Sequence, residues 1–153
     1  MTDTAAPSNN STDSADLLDL VTEINAMNPS TLVTRMGILF TEAHKGRFVA
    51  TMPVEGNTQP YGLLHGGASV VLAETLGSVG AAIHAGEGKI VVGVDINATH
   101  HRAARTGLVT GVATPLSVGN TLSVWEIVVT DEDGKRVCTS RITCLIRERP
   151  PGA

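Results

Sequence analysis

Residues 65–85 read HGGASVVLAETLGSVGAAIHA, a proline-free run and the only stretch long enough for a central helix of about five turns. Gly86-Glu87-Gly88 closes it. Within the run, Gly66, Gly67, Gly77 and Gly80 each cost up to about 1 kcal/mol against alanine in a helix interior. Ala68, Ser69, Ala73, Ala81 and Ala82 bury little area. Close packing is the compensation, because small side chains let a sheet curl tightly against a helix. The run therefore predicts a core helix enclosed by strands.

The flanking sequence supplies those strands. Upstream, residues 37–43 and 47–54 read as extended segments joined at His44-Lys45-Gly46, with Phe48, Ala50, Met52 and Val54 alternating with Arg47, Val49, Thr51 and Pro53. Residues 55–62, Glu-Gly-Asn-Thr-Gln-Pro-Tyr-Gly, are dense in turn formers and read as a loop. Downstream, four segments rich in Val, Ile and Thr lie near 89–101, 106–114, 120–130 and 135–147. The last two are separated by Asp131-Glu132-Asp133-Gly134. Two strands, one long helix and four strands predict an α+β domain, an antiparallel sheet with its helix on one face. At the N-terminus, Leu17, Leu18, Leu20, Val21, Ile24 and Met27 recur at helical spacing between Asp16 and Pro29, a short helix that covers a core. The first sixteen residues, MTDTAAPSNNSTDSAD, read as a disordered tail, leaving one domain over residues 17–149.

Composition excludes several classes. The 153 residues suit a single domain. A net charge of −4 with 3% aromatics argues against a nucleic-acid surface. No uninterrupted apolar run approaches the ~20 residues of a membrane span, and the tail lacks the basic and apolar regions of a signal peptide, so a cytoplasmic location is expected. Cys138 and Cys144 fall in one strand, roughly 20 Å apart at about 3.3 Å per residue, too far for a disulfide. Neither CxxC nor HExxH occurs, and no metal site is expected.

Chemistry concentrates on the central helix. Its first turn, His65-Gly66-Gly67, presents backbone N–H groups at the positive end of the helix dipole, where a carbonyl developing negative charge can sit. Glu74 shares a face with Val70, Val71, Ser78 and Ala81. A carboxylate there is a functional group of raised pKa, a buried glutamate satisfied by Thr75 or Ser78, or a solvent-facing one, and spacing leaves these open. His65 and Glu74 are half a turn out of phase and about 13.5 Å apart along the axis. If both serve one substrate, they come from two antiparallel copies of the helix in a two-fold dimer.

Gln59, His65-Gly66-Gly67, Glu74, Ser78 and Asp95-Ile96-Asn97-Ala98-Thr99-His100 together resemble the hotdog-fold acyl-CoA thioesterases. The branch resembled contains the glutamate-type 4-hydroxybenzoyl-CoA and 1,4-dihydroxy-2-naphthoyl-CoA thioesterases and is related to phenylacetate-pathway thioesterases. The similarity runs from about Met36 to Arg147. It implies a long helix wrapped by an antiparallel sheet, sheet-paired homodimers often doubled into tetramers, and no cofactor, coenzyme A being part of the substrate. Glu74 then matches the nucleophile or general base, and Gly66 the residue whose backbone N–H polarises the thioester carbonyl across the dimer interface. Gln59 matches a side-chain donor near that carbonyl and His65 a histidine at the helix entrance. Ser78 matches a hydroxyl position, threonine in some members, and His100 a residue of the acyl pocket. Tyr61, Val70, Val71 and Ile83 are further candidates for its walls.

For the nucleotide end of coenzyme A, Arg102 and Arg105 in His100-His101-Arg102-Ala103-Ala104-Arg105 are the one basic cluster, able to hold phosphates or merely to face solvent. Ser117, Gly119 and Asn120 form a second candidate, a turn with N–H and hydroxyl donors that a plain hairpin also explains. The expected function is hydrolysis of an aryl-CoA thioester in aromatic catabolism, with a medium-chain acyl-CoA thioesterase or a non-catalytic acyl-CoA or aromatic-ligand binding protein as alternatives.

Overall fold

The computed structural model describes residues 11–27 and 29–150. Helix α1 spans Ser11–Ala26 and a single turn, α2, spans Leu32–Arg35. Strands β1 (Leu39–His44) and β2 (Arg47–Pro53) precede the long helix α3 (Gly66–Ala85), and β3 (Lys89–His100), β4 (Leu108–Val118), β5 (Leu122–Thr130) and β6 (Arg136–Glu148) follow it. They form one antiparallel sheet in the order β1-β2-β4-β5-β6-β3. The fold is the hotdog: six antiparallel strands against one central helix.

Three expectations shift. Helix α1 starts at Ser11, inside the stretch read as a tail, whose residues 1–10 lie outside the described residues. Its Ile24 is buried, while Met27, expected on the core face, is exposed. Asn25 fixes α1 to the sheet, its amide donating to the Phe40 carbonyl and accepting from the Phe40 N–H, both at 3.0 Å. Strand β4 also runs on through Ser117, so the expected turn there shrinks to residues 119–121.

The small residues of α3 pack as their composition requires. Ala68, Ser69, Leu72, Ala73, Leu76, Gly77, Gly80 and Ala81 are buried beneath the sheet. A Cβ at Gly80 would stand 3.0 Å from the Trp125 ring and 3.1 Å from Phe48, and one at Gly77 would overlap Ile142. Gly77→Ala is therefore expected to lower stability by about 2 kcal/mol in urea unfolding, since overpacking outweighs the gain in helix propensity. Equal or greater stability would refute this close approach. Helix α3 also has the length and apolarity of a membrane span, with a mean hydropathy of 1.4, although here it lies against the sheet.

Strand β3 ends up at the far edge, hydrogen-bonded to β6 on one side only. Val92 and Val94 on it are 49% and 55% exposed. A long strand with one open side and apolar side chains is a template for pairing with another strand.

Candidate active site

The N-terminus of α3 is closed in a way that singles out one donor. His65 is the N-cap, and its Nδ1 accepts from the Gly67 N–H at 2.9 Å. Its carbonyl accepts from the Ala68 N–H, also at 2.9 Å. Of the first-turn donors only the Gly66 N–H is left without an acceptor among the described residues. The loop leading in is held by Asn57, whose side-chain amide donates to the Met36 and Pro53 carbonyls at 2.9 Å and whose carbonyl accepts from His65.

Gly66 opens on a cavity of about 400 Å³ shared with Gln59, Ser69, His100 and Arg102. The absence of a side chain matters here, because a Cβ on Gly66 would stand 2.9 Å from His100 Nε2. The end of β3 thus lies over the start of α3. The resemblance puts Gln59 and Gly66 at the thioester carbonyl, His100 in the acyl pocket and Arg102 at the nucleotide phosphates, and the structure places all four around this one cavity; Ser69, buried in the same wall, reads from the sequence only as packing.

Glu74 is exposed in the single chain, the solvent-facing one of the readings that its spacing leaves open. It has no hydrogen bond or ion pair among the described residues, and it lies over β3, its Oε1 3.4 Å from where a Cβ of Gly93 would stand. One turn on, the half-buried Ser78 lies beside the buried Cys144 thiol. Burial holds that thiol above its ordinary pKa, with Glu74 adding to the effect. Gly93 and Cys144 were not anticipated as neighbours of Glu74. A lone glycine inside a strand pattern, which marks a bulge or a close approach, was the available signal, and β3 does break register between Gly93 and Asp95.

Two groups result, Gly66 with Gln59, His100 and Arg102, and Glu74 with Ser78, separated by about 12 Å along α3. The nucleotide-end candidates separate too. Arg102 lines the Gly66 cavity, whereas Arg105 faces Asp131, Glu132 and Asp133 across another. The Asp133 carboxyl is held below its usual range first by Lys135 and, further down, by Arg102. Gly119 and Asn120 lie at the other end of α3, beside His84 and Lys89, and Ser117 is exposed on β4. Tyr61 stands exposed on the loop, Val71 is half-buried on α3, and Ile83 faces a different cavity under the end of the helix.

A model of the thioesterase superfamily matches residues 61–138. Over 129 residues the chain is 51% identical to a putative esterase of Vibrio cholerae, covering 84% of this chain and 86% of that protein. It is 48% identical over 124 residues to the proofreading thioesterase EntH of Cronobacter sakazakii, covering 80% and 90% respectively. A solved thioesterase from Haemophilus influenzae superposes with a TM-score of 0.83 at 40% identity, over 86% of this chain and 93% of that one.

Proposed function

The chain belongs to the thioesterase superfamily and is a thioester hydrolase, and from that premise we propose that it cleaves aryl-CoA thioesters at a site built from two protomers. The observation that carries the proposal is the Gly66 N–H, the one first-turn donor without an acceptor among the described residues, facing a cavity that also holds Arg102. A thioester carbonyl accepting from it lies at the positive end of α3, where developing oxyanion charge is stabilised. Gln59 adds a side-chain donor at the same mouth, His65 fixes the helix entrance through its cap, and Arg102 is placed for a coenzyme A phosphate.

The attacking group is Glu74 of the other protomer. On its own helix Glu74 is too far from Gly66 to reach the same carbonyl, whereas antiparallel pairing of two β3 edges through Val92 and Val94 brings the helices side by side. Pairing also covers Glu74 and supplies the desolvation that one chain lacks. Glu74 either adds to the carbonyl carbon, expelling the thiolate and leaving an anhydride for water to open, or takes the proton of a water that adds directly. Thiolate is a good leaving group, with a thiol reference pKa of about 8.5. Oxyanion stabilisation is then the demanding step.

Ser78, Val71, His100 and Tyr61 would line the acyl side, and Ser117, Gly119 and Asn120 would reach coenzyme A from the neighbouring protomer. The finer assignment, a 4-hydroxybenzoyl or 1,4-dihydroxy-2-naphthoyl acyl group, rests on the motif resemblance. The kinship with proofreading thioesterases supports a second reading, clearance of wrongly charged acyl thioesters. Rates of thiol release from 4-hydroxybenzoyl-, phenylacetyl-, octanoyl- and acetyl-CoA, with a stable analogue of the naphthoyl thioester as inhibitor, separate them. An aryl member favoured in kcat/KM by roughly tenfold or more, about 1.4 kcal/mol, supports the aryl assignment. An octanoyl preference overturns it, and near-equal rates across the panel favour proofreading.

A further inference from the structure

A second cavity lies under the C-terminal end of α3, and we propose that it binds an organic carboxylate with a compact apolar body. Its floor is Trp125 and Phe48, packed edge to face with ring centroids 5.7 Å apart. Gly80 lets the Trp125 ring come up beneath the helix, and Ile83 and Val118 form walls that remain 39% and 44% exposed. At about 440 Å³ the space matches that of small-molecule sites.

The rim sets the charge of the occupant. Lys45, in the β1–β2 turn, and His84, in the last turn of α3, both line the cavity, and neither has an ion-pair partner among the described residues. The nearby acid Glu42 is taken by Arg47 at 3.0 Å, with His44 at 3.8 Å. The floor makes no polar demand, because the Trp125 indole N–H donates to Ser123 Oγ at 2.6 Å. An apolar chamber with two unpaired basic side chains at its mouth is complementary to a monoanion whose charged group stays at the rim. A neutral ligand leaves the Lys45 ammonium unused, and a compact inorganic anion leaves the apolar walls exposed.

The chamber is separate from the thioester site. Gly80 and Ile83 lie about 120° and 180° around α3 from Glu74, and the cavity opens between the β1–β2 and β4–β5 hairpins, whereas β3 is at the opposite edge of the sheet. Its occupation does not depend on which acyl thioester is cleaved.

Trp125 is the only tryptophan of the chain, so its emission reports the chamber alone. Titration of the full-length protein with octanoate and with cyclohexanecarboxylate, neither of which absorbs at the excitation wavelength, is expected to give a saturable change that persists under saturating coenzyme A. The acyclic and cyclic acids distinguish the shape of the apolar body. The variant Lys45→Glu, altered only at an exposed side chain of the β1–β2 turn, is expected to weaken binding roughly tenfold or more while kcat/KM for thioesters stays unchanged. No saturable change up to about 10 mM, well above the weakest affinities worth assigning, overturns the proposal. So does equal affinity in Lys45→Glu, displacement by coenzyme A, or an emission change on dilution without ligand, which assigns the chamber to a second copy of the chain.

Discussion

Glu74→Ala is expected to lower kcat for the best thioester roughly a thousandfold, the range lost when a nucleophile or general base is removed, with a much smaller change in KM. The fold is expected to survive intact. Glu74 is exposed and unpaired in the protomer, so its removal leaves no buried partner unsatisfied and opens no cavity. Thermal unfolding of the variant is therefore expected to match or slightly exceed that of the parent, since pairing desolvates the carboxylate that alanine removes, which separates lost chemistry from lost structure. Glu74→Gln should fail almost as badly, because the amide keeps the shape but neither attacks a thioester nor accepts a proton from water. A loss below about tenfold with either variant would remove Glu74 from the chemical step. It would direct attention to His100, whose imidazole already stands against Gly66.

The contrast between Glu74 and Gly77 shows what the sequence makes legible. Both lie on α3, whose extent follows from a proline-free run ended by Gly86. Gly77 is readable as packing because a helix this poor in side-chain volume has little other means of stability. The surroundings of Glu74 are not readable, since helical periodicity gives its face but not the strand that meets it. That strand, β3, follows α3 in the chain yet pairs with the last strand. Its register shift brings Gly93 under the carboxylate through contacts far apart in sequence. Arg105 is the same case. Its companions Asp131, Glu132 and Asp133 belong to a turn that looked like a plain hairpin, and nothing local to either segment joins them. His65 shows a finer limit, because which first-turn N–H remains free depends on one imidazole rotamer that no spacing rule specifies.

That rotamer makes a second variant unusually clean. Gly66→Pro is expected to reduce kcat by roughly a hundredfold or more, the cost of removing one oxyanion donor, while leaving α3 as stable as before. Gly66 is the first helical residue, where proline is favoured, and its N–H makes no internal bond that proline would break. His65, with φ −66° and ψ 131°, already has the extended backbone required before proline. The added carbons press on the far end of His100, an exposed side chain free to swing. Gly66→Ala brings the same Cβ against His100 but keeps the N–H, so a large loss in Gly66→Pro with a small one in Gly66→Ala assigns the effect to the donor. Equal losses would assign it to displacement of His100. Coexpression then tests where the two halves of the site reside. When Gly66→Pro and Glu74→Ala chains pair at random, about half of the dimers are mixed, and each mixed dimer holds one site with both groups intact if the site is shared across the two-fold axis. About a quarter of wild-type activity should return, from two parents that are each nearly inactive. If Gly66 and Glu74 served the same substrate from one protomer, no mixed dimer would contain a complete site, and activity would stay at the level of the parents.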